Sequence, residues 1–295
     1  MNNLFLKTIS RFFWKIICLL IFLNIFNWLL VFSFYRQPFF EINFLNVGQG
    51  DSELLKTKAG NVLIDAGPDK KVLEQINQFL PFFEKTIDIV IISHPNIDHY
   101  RGLFEVLKSY KIRAVILNNI DYSSKEYQSL LKDLLNRNIL LVKGIKGIKI
   151  NLGDQSIEQK ITILSPETLN SKDLNQDSII CYYKNPLVSA LFLGDTNKTI
   201  EEKITKYLED KNSLYRILKV AHHGSKNATS EEILSTFQPN FAIIEVGKNN
   251  YSHPHISTLE KLEKFQVETF RTDLDGSIQF SVDKNFQFFY RLLKK

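Results

Sequence analysis

The chain opens with one long apolar stretch and continues as short apolar runs set between polar turns. Residues 16–35 read IICLLIFLNIFNWLLVFSFY, twenty positions without a charge. As a helix rising about 1.5 Å per residue, that length crosses the roughly 30 Å hydrocarbon core of a bilayer. Asn24, Asn27 and Ser33 interrupt it without adding charge. A cleaved signal peptide and a buried core helix are the competing readings. A signal peptide has a shorter apolar region and closes on small residues, whereas this run closes on Phe34-Tyr35-Arg36-Gln37-Pro38. Lys7, Arg11 and Lys15 precede it and Arg36 follows it closely. The positive-inside bias then places the N-terminus in the cytoplasm and the rest of the chain outside. The expectation is a single-pass signal anchor in the cell membrane over residues 1–36, followed by one extracytoplasmic domain over residues 37–295.

Past the anchor the hydrophobic period changes. Strands are predicted at 41–47, 61–65, 87–93, 113–117, 160–164, 178–183, 188–194, 217–222, 240–246 and 277–282. Helical spacing predicts helices at 70–80, 103–109, 124–135, 198–208, 230–237 and 256–265. Turns such as Gly67-Pro68-Asp69 and Asp275-Gly276 separate them. Strand groups alternate with helices twice, which predicts a mixed α/β domain with sheets inside and helices outside. With 44% hydrophobic and 23% charged residues, bulk disorder is excluded. Lys+Arg 37 against Asp+Glu 32 leaves +5, which permits a polyanionic partner without requiring one. Two cysteines, Cys18 in the apolar run and Cys181 far from it, exclude a disulfide scaffold and a Cys-rich metal site.

The six histidines carry the chemistry. The apolar run at 89–93 leads into His94-Pro95-Asn96-Ile97-Asp98-His99. In an extended segment His94 and Asn96 face the same way, and Asp98 and His99 start the next helix, a spacing that serves two neighbouring ions. Taken alone, the segment also reads as a polar loop with incidental histidines. Other segments repeat the design: Asn46-Val47-Gly48-Gln49-Gly50-Asp51-Ser52, Leu63-Ile64-Asp65-Ala66-Gly67, Leu193-Gly194-Asp195-Thr196, Val220-Ala221-His222-His223-Gly224-Ser225 and Asn250-Tyr251-Ser252-His253-Pro254-His255. All six histidines thus fall in three clusters, each in a turn after an apolar strand. One metal-lined sheet edge accounts for the three together.

The order VGQGD, LIDAG, HPNIDH, LGD, HHGS and YSHPH resembles the metallo-β-lactamase-type hydrolase domain of the ComEC competence DNA-uptake family, over residues 40–282. The resemblance implies an αββα sandwich with metal at one edge of two sheets. It implies that His94, Asn96 and Asp195 surround one divalent ion, zinc or manganese. Asp98, His99, Asp195 and one of His222 and His223 surround a second, with His222 taken as the ligand and Asp195 bridging. Asp65 is implied as a structural acid holding the ligand loop. Family members are proposed to degrade the DNA strand that is not taken up.

Two departures qualify that picture. The position of Asn96 is usually His or Asp in such domains, and a neutral amide weakens the first site, leaving a single ion as an alternative. The family normally carries a multi-helix channel before this domain, so a separate channel protein becomes a candidate partner. Asn46, usually Asp, is a lesser departure. The expected reaction is metal-assisted phosphodiester hydrolysis, in which divalent ions acidify water and offset charge developing on phosphate oxygens. Asp51 is expected to orient water or a ligand, and His223 to take part in catalysis. His253 is expected to donate to the leaving oxygen, and Ser225, Lys226 and His255 to contact phosphate. His253 and His255 also read as hydrogen-bonded turn residues, and Lys226 as a solvated side chain that contacts nothing. Hydrolysis of small or cell-surface phosphoesters, and non-catalytic DNA binding with a degenerate metal site, stay open. No stacking platform or basic stripe is visible, so sequence-specific recognition is not expected.

Overall fold

The computed structural model describes residues 2–35, 38–118, 121–153, 158–169, 173–208 and 213–294. Two compact units divide at Phe39 and Phe40. The sequence-derived boundary at residues 36 and 37, and Arg36 with it, lies outside the described residues.

The first unit is helix α1 (Asn2–Tyr35). Its window Phe12–Leu29 has mean hydropathy 1.9 and buries nothing. A helix that is apolar all round and unburied has the length and surface of a membrane span.

The second unit holds fifteen strands among the described residues: β1 (Phe40–Phe44), β2 (Glu53–Thr57), β3 (Gly60–Ile64), β4 (Thr86–Ile91), β5 (Lys111–Leu117), β6 (Leu140–Lys143), β7 (Lys149–Asn151), β8 (Lys160–Ser165), β9 (Ile180–Lys184), β10 (Val188–Phe192), β11 (Tyr215–Lys219), β12 (Phe241–Ile244), β13 (Glu268–Arg271), β14 (Ser277–Val282) and β15 (Phe288–Leu293). They form two sheets, ordered β15-β14-β1-β2-β3-β4-β5-β6 and β13-β12-β11-β10-β9-β8-β7. Phe40 meets Tyr183 at 5.7 Å and Phe44 meets Phe192 at 5.9 Å between ring centroids, so the sheets pack face to face. Helices Lys71–Phe79, Leu103–Ser109 and Lys125–Asn136 cover the outer face of the first sheet through Val72, Ile76, Val106, Leu130 and Leu134. Helices Lys198–Ile204, Glu231–Phe237 and Ile256–Lys264 cover the second through Ile204, Ile233, Leu234 and Leu262. The layers are α, β, β, α.

This layering explains the continuous apolar runs. Every residue of β10 is buried, because Leu191 feeds the helix layer while Phe192 points between the sheets. Strands covered on both faces lose the alternation of a half-exposed strand. The parallel neighbours β3, β4 and β5, and β10, β11, β12 and β13, all end at one edge of the sandwich, and the histidine-bearing turns leave from there.

Candidate metal centre

The centre is built on Asp65, the first residue after β3. Its side chain is fully buried, and its Oδ1 accepts the Ser93 backbone N–H at 2.7 Å. Its Oδ2 accepts Ser93 Oγ at 2.6 Å and meets His99 Nδ1 at 2.7 Å. A carboxylate on Nδ1 fixes the ring and leaves Nε2 for a cation, the outer-shell arrangement found behind metal-ligating histidines. His99 Nε2 lies 3.5 Å from Asp195 Oδ2 and 3.9 Å from Asp98 Oδ1.

His223 arrives from the turn Ala221–Gly224 after β11. His222 and His223 both have left-handed backbones, φ 49° and 50°, which non-glycine residues rarely adopt. That double reversal turns His223 inward. Its Nδ1 donates to the Glu245 carbonyl at 2.8 Å, and its Nε2 lies 3.4 Å from Asp98 Oδ2 and 3.8 Å from Asp195 Oδ1. Asp98, His99, Asp195 and His223 thus bring one donor each within 4.8 Å of one another.

The fit to a divalent cation is chemical as well as geometric. His94 Nε2, His99 Nε2, His223 Nε2 and Asp195 Oδ1 are buried without a hydrogen-bond partner. Orphaned buried polar atoms are costly unless something satisfies them, and two carboxylates with imidazoles suit zinc or manganese. Burial opposes the charged form of His99 and of His223, yet the carboxylates of Asp195 and its neighbours outweigh it. His99 is held well above the usual range and His223 at about 10. Burial and the adjacent His99 push His94 down to about 3. Asp98 and Asp195 stay ionised despite burial because imidazolium charges face them.

The other expected residues are distributed around this group. The four-donor group takes in the buried His223, while His222, its side chain 35% exposed, meets the same carboxylate from the open side, its Nε2 3.8 Å from Asp195 Oδ2. Asp51 is fully buried behind the centre, 3.2 Å from His223 Nδ1 and 3.7 Å from His99 Nδ1, where it braces both histidines. His255 caps the helix Ile256–Lys264, its Nδ1 accepting from Ser257 N at 3.2 Å. Ser225 is buried in its turn and accepts Asn227 N at 3.4 Å, and Lys226 is exposed. His253 lies beside the centre, its ring 5.5 Å from that of His222. His94 packs against His99 at 4.1 Å, with Nε2 3.9 Å from Asp195 Oδ2. Asn96 is half-buried and donates its amide to Asn175 Oδ1 at 3.1 Å.

Residues that pattern reading missed lie one layer deeper. Lys219 is fully buried at the end of β11, where its ammonium donates to Asp51 Oδ2 and to the Gly194 carbonyl at 3.2 Å. Burial works against its charge, but Asp51 and Asp195 hold its pKa above the ordinary lysine value. Glu53 and Glu245 sit beside Asp51, and burial with the facing carboxylates raises both well above the usual range. The available signal was a charged residue inside an apolar strand, which a folded core accepts only when it is paired or protonated.

Residues 45–245 match the metallo-beta-lactamase superfamily, and the chain belongs to it. Among characterised relatives it is 28% identical over 259 residues to ComE operon protein 3 of Bacillus subtilis, covering 81% of this chain and 33% of that protein. It is 27% identical over 256 residues to Recombination protein 2 of Haemophilus influenzae, covering 85% and 30%. The resemblance to ComEC-type competence proteins therefore stands, and the chain spans about a third of these relatives' length. The fold is also that of the metallo-beta-lactamase fold protein YhfI from Bacillus subtilis, with TM-score 0.55, 12% identity and coverage of 86% and 100%. CmlA, a diiron beta-hydroxylase from Streptomyces venezuelae, shares it at TM-score 0.53 and 14% identity, covering 83% and 55%.

Proposed function

We propose that this chain is a membrane-anchored, metal-dependent phosphodiesterase that cuts DNA outside the cell membrane in competence-type uptake, beside a channel supplied by a partner protein. The observation that carries the reading is the set of buried, unpartnered donors on His94, His99, Asp195 and His223 at one sheet edge. The similarity to ComE operon protein 3 and Recombination protein 2 supports the setting. Asp98, His99, Asp195 and His223 hold one divalent ion, zinc or manganese. His94 Nε2 and Asp195 Oδ2 are the donors left for a weaker second ion. A divalent ion held there acidifies water and neutralises charge on phosphate oxygens. Asp98, 32% exposed at the rim, accepts a proton from attacking water in this reading. His253, half-buried with its ring 5.5 Å from that of His222, donates to the leaving oxygen in this reading.

The test is cleavage of single- and double-stranded DNA by the full chain in detergent, with zinc or manganese added. Metal-dependent cleavage that disappears in Asp195→Ala supports the proposal. Bound metal with activity only on small phosphoesters moves the substrate to that class, and a chain that binds no metal is a non-catalytic relative.

A further inference from the structure

Tyr251 is 73% exposed. Single exposed aromatics are common, so exposure by itself assigns nothing. The mounting of this ring is what distinguishes it. Asn249 Oδ1 accepts the backbone N–H groups of Tyr251 and His253 at 3.0 and 3.1 Å. Its Nδ2 donates to the Gly247 and His253 carbonyls, both at 2.9 Å. One side chain therefore pins the loop on both sides of Tyr251, and the phenol is held in solvent by a fixed backbone. Inward, its ring lies 5.8 Å from that of His253 at an interplanar angle of 32°. His253 lies 5.5 Å from His222, whose Nε2 is 3.8 Å from Asp195 Oδ2. A series of rings thus leads from the donor set to one open face.

We propose that Tyr251 is a stacking surface for a nucleobase of single-stranded nucleic acid, seated beside the phosphate that meets the metal centre. The inference deepens the phosphodiesterase reading and rests on it. Every base presents a flat π face, so one phenol binds all sequences alike, and aromatic stacking strengthens binding roughly 5–150-fold per base. A base inside a duplex already has both faces covered by its neighbours and offers the ring nothing. A phosphorylated lipid headgroup or small phosphoester without a ring gains nothing from this surface either. The stacking platform that pattern reading did not find is a lone tyrosine in a polar loop, and only the folded loop brings it to the rim.

Fluorescence anisotropy on the metal-loaded full chain in detergent tests it, with strands whose linkages resist hydrolysis so that nothing is cut. The probes are a thymidine strand and an abasic strand of equal length, hence equal phosphate charge. The wild type binds the thymidine strand roughly 5–150-fold more tightly. Tyr251→Ala loses that preference without changing abasic affinity, and Tyr251→Trp keeps it. Equal affinity of the wild type for both strands, absence of binding to either, or a preference that survives in Tyr251→Ala overturns the assignment. Cleavage of the same strands with ordinary linkages separates this from the parent reading. Cutting of both strands without base preference removes only the role of Tyr251, whereas no cutting of either removes the phosphodiesterase.

Discussion

At the scale of single residues, the pair formed by Lys219 and Asp51 stabilises the centre through what it holds. Asp51 braces His99 and His223 from behind, and Lys219 also grips the carbonyl that precedes Asp195. Breaking a buried ion pair from one side leaves a charge unpaired, at a cost of about 3–5 kcal/mol. Lys219→Met is therefore expected to destabilise the fold by that amount in chemical denaturation, and Asp51→Asn/Lys219→Met by clearly less than the two single losses summed. Strict additivity would contradict the pairing. His255 makes a milder prediction. Its Nδ1 caps a helix, so His255→Ala costs about 1 kcal/mol while His255→Asn, a good N-cap, costs a few tenths at most. Equal losses would contradict the capping role. The histidine clusters were legible in the sequence because imidazoles are scarce in this chain. The partition of His222 from His223 was not, since it depends on two left-handed residues that no side-chain pattern encodes.

The same residues set a pH dependence. His223 titrates at about 10 in the metal-free site, so near neutrality it carries the proton that a cation must displace. Protons and metal compete for one Nε2, so metal affinity rises with pH until His223 loses its proton on its own. Calorimetry in two buffers of different ionisation enthalpy should register proton release on metal binding near neutrality. Zero release would mean that the bound ion does not use His99 or His223.

At the scale of elements, close backbone approach aligns the ligand loop. The Cβ that alanine would add at Gly102 lies 2.0 Å from the Ala66 carbonyl oxygen, and Gly102 N donates to Gly67 O at 2.9 Å. This contact docks the short helix Ile97–Tyr100, which carries Asp98 and His99, against the loop after β3. At Gly50, φ is +146° and an added Cβ would lie 2.3 Å from Asp98 O. Gly102→Ala is expected to cost about 1–3 kcal/mol through overpacking and to lower metal affinity as well. Loss of stability with unchanged metal affinity would show that the two loops are not coupled through this contact. The central strands were legible as apolar runs, whereas β2, β6, β7, β13 and β15 were not. Glu53 disguised β2, since a buried acid reads as a turn residue, and β6 and β15 are half-exposed edges carrying charge.

For the whole molecule, the order of motifs along the chain was the strongest signal. It survives because each motif sits where a strand ends, and the αββα layering brings all those ends to one edge. The apolar run was legible from composition alone, and α1 extends it to Asn2–Tyr35. Its orientation rests on the basic residues before it. Protease added outside intact cells should therefore digest the domain, and full protection would contradict the proposed topology. The central claim is that Asp98, His99, Asp195 and His223 hold the metal. Its most direct test is metal bound per chain in the purified wild type, His223→Ala and His222→Ala. The account predicts that His223→Ala loses the ion and His222→Ala keeps it. Retention in His223→Ala with loss in His222→Ala would contradict it.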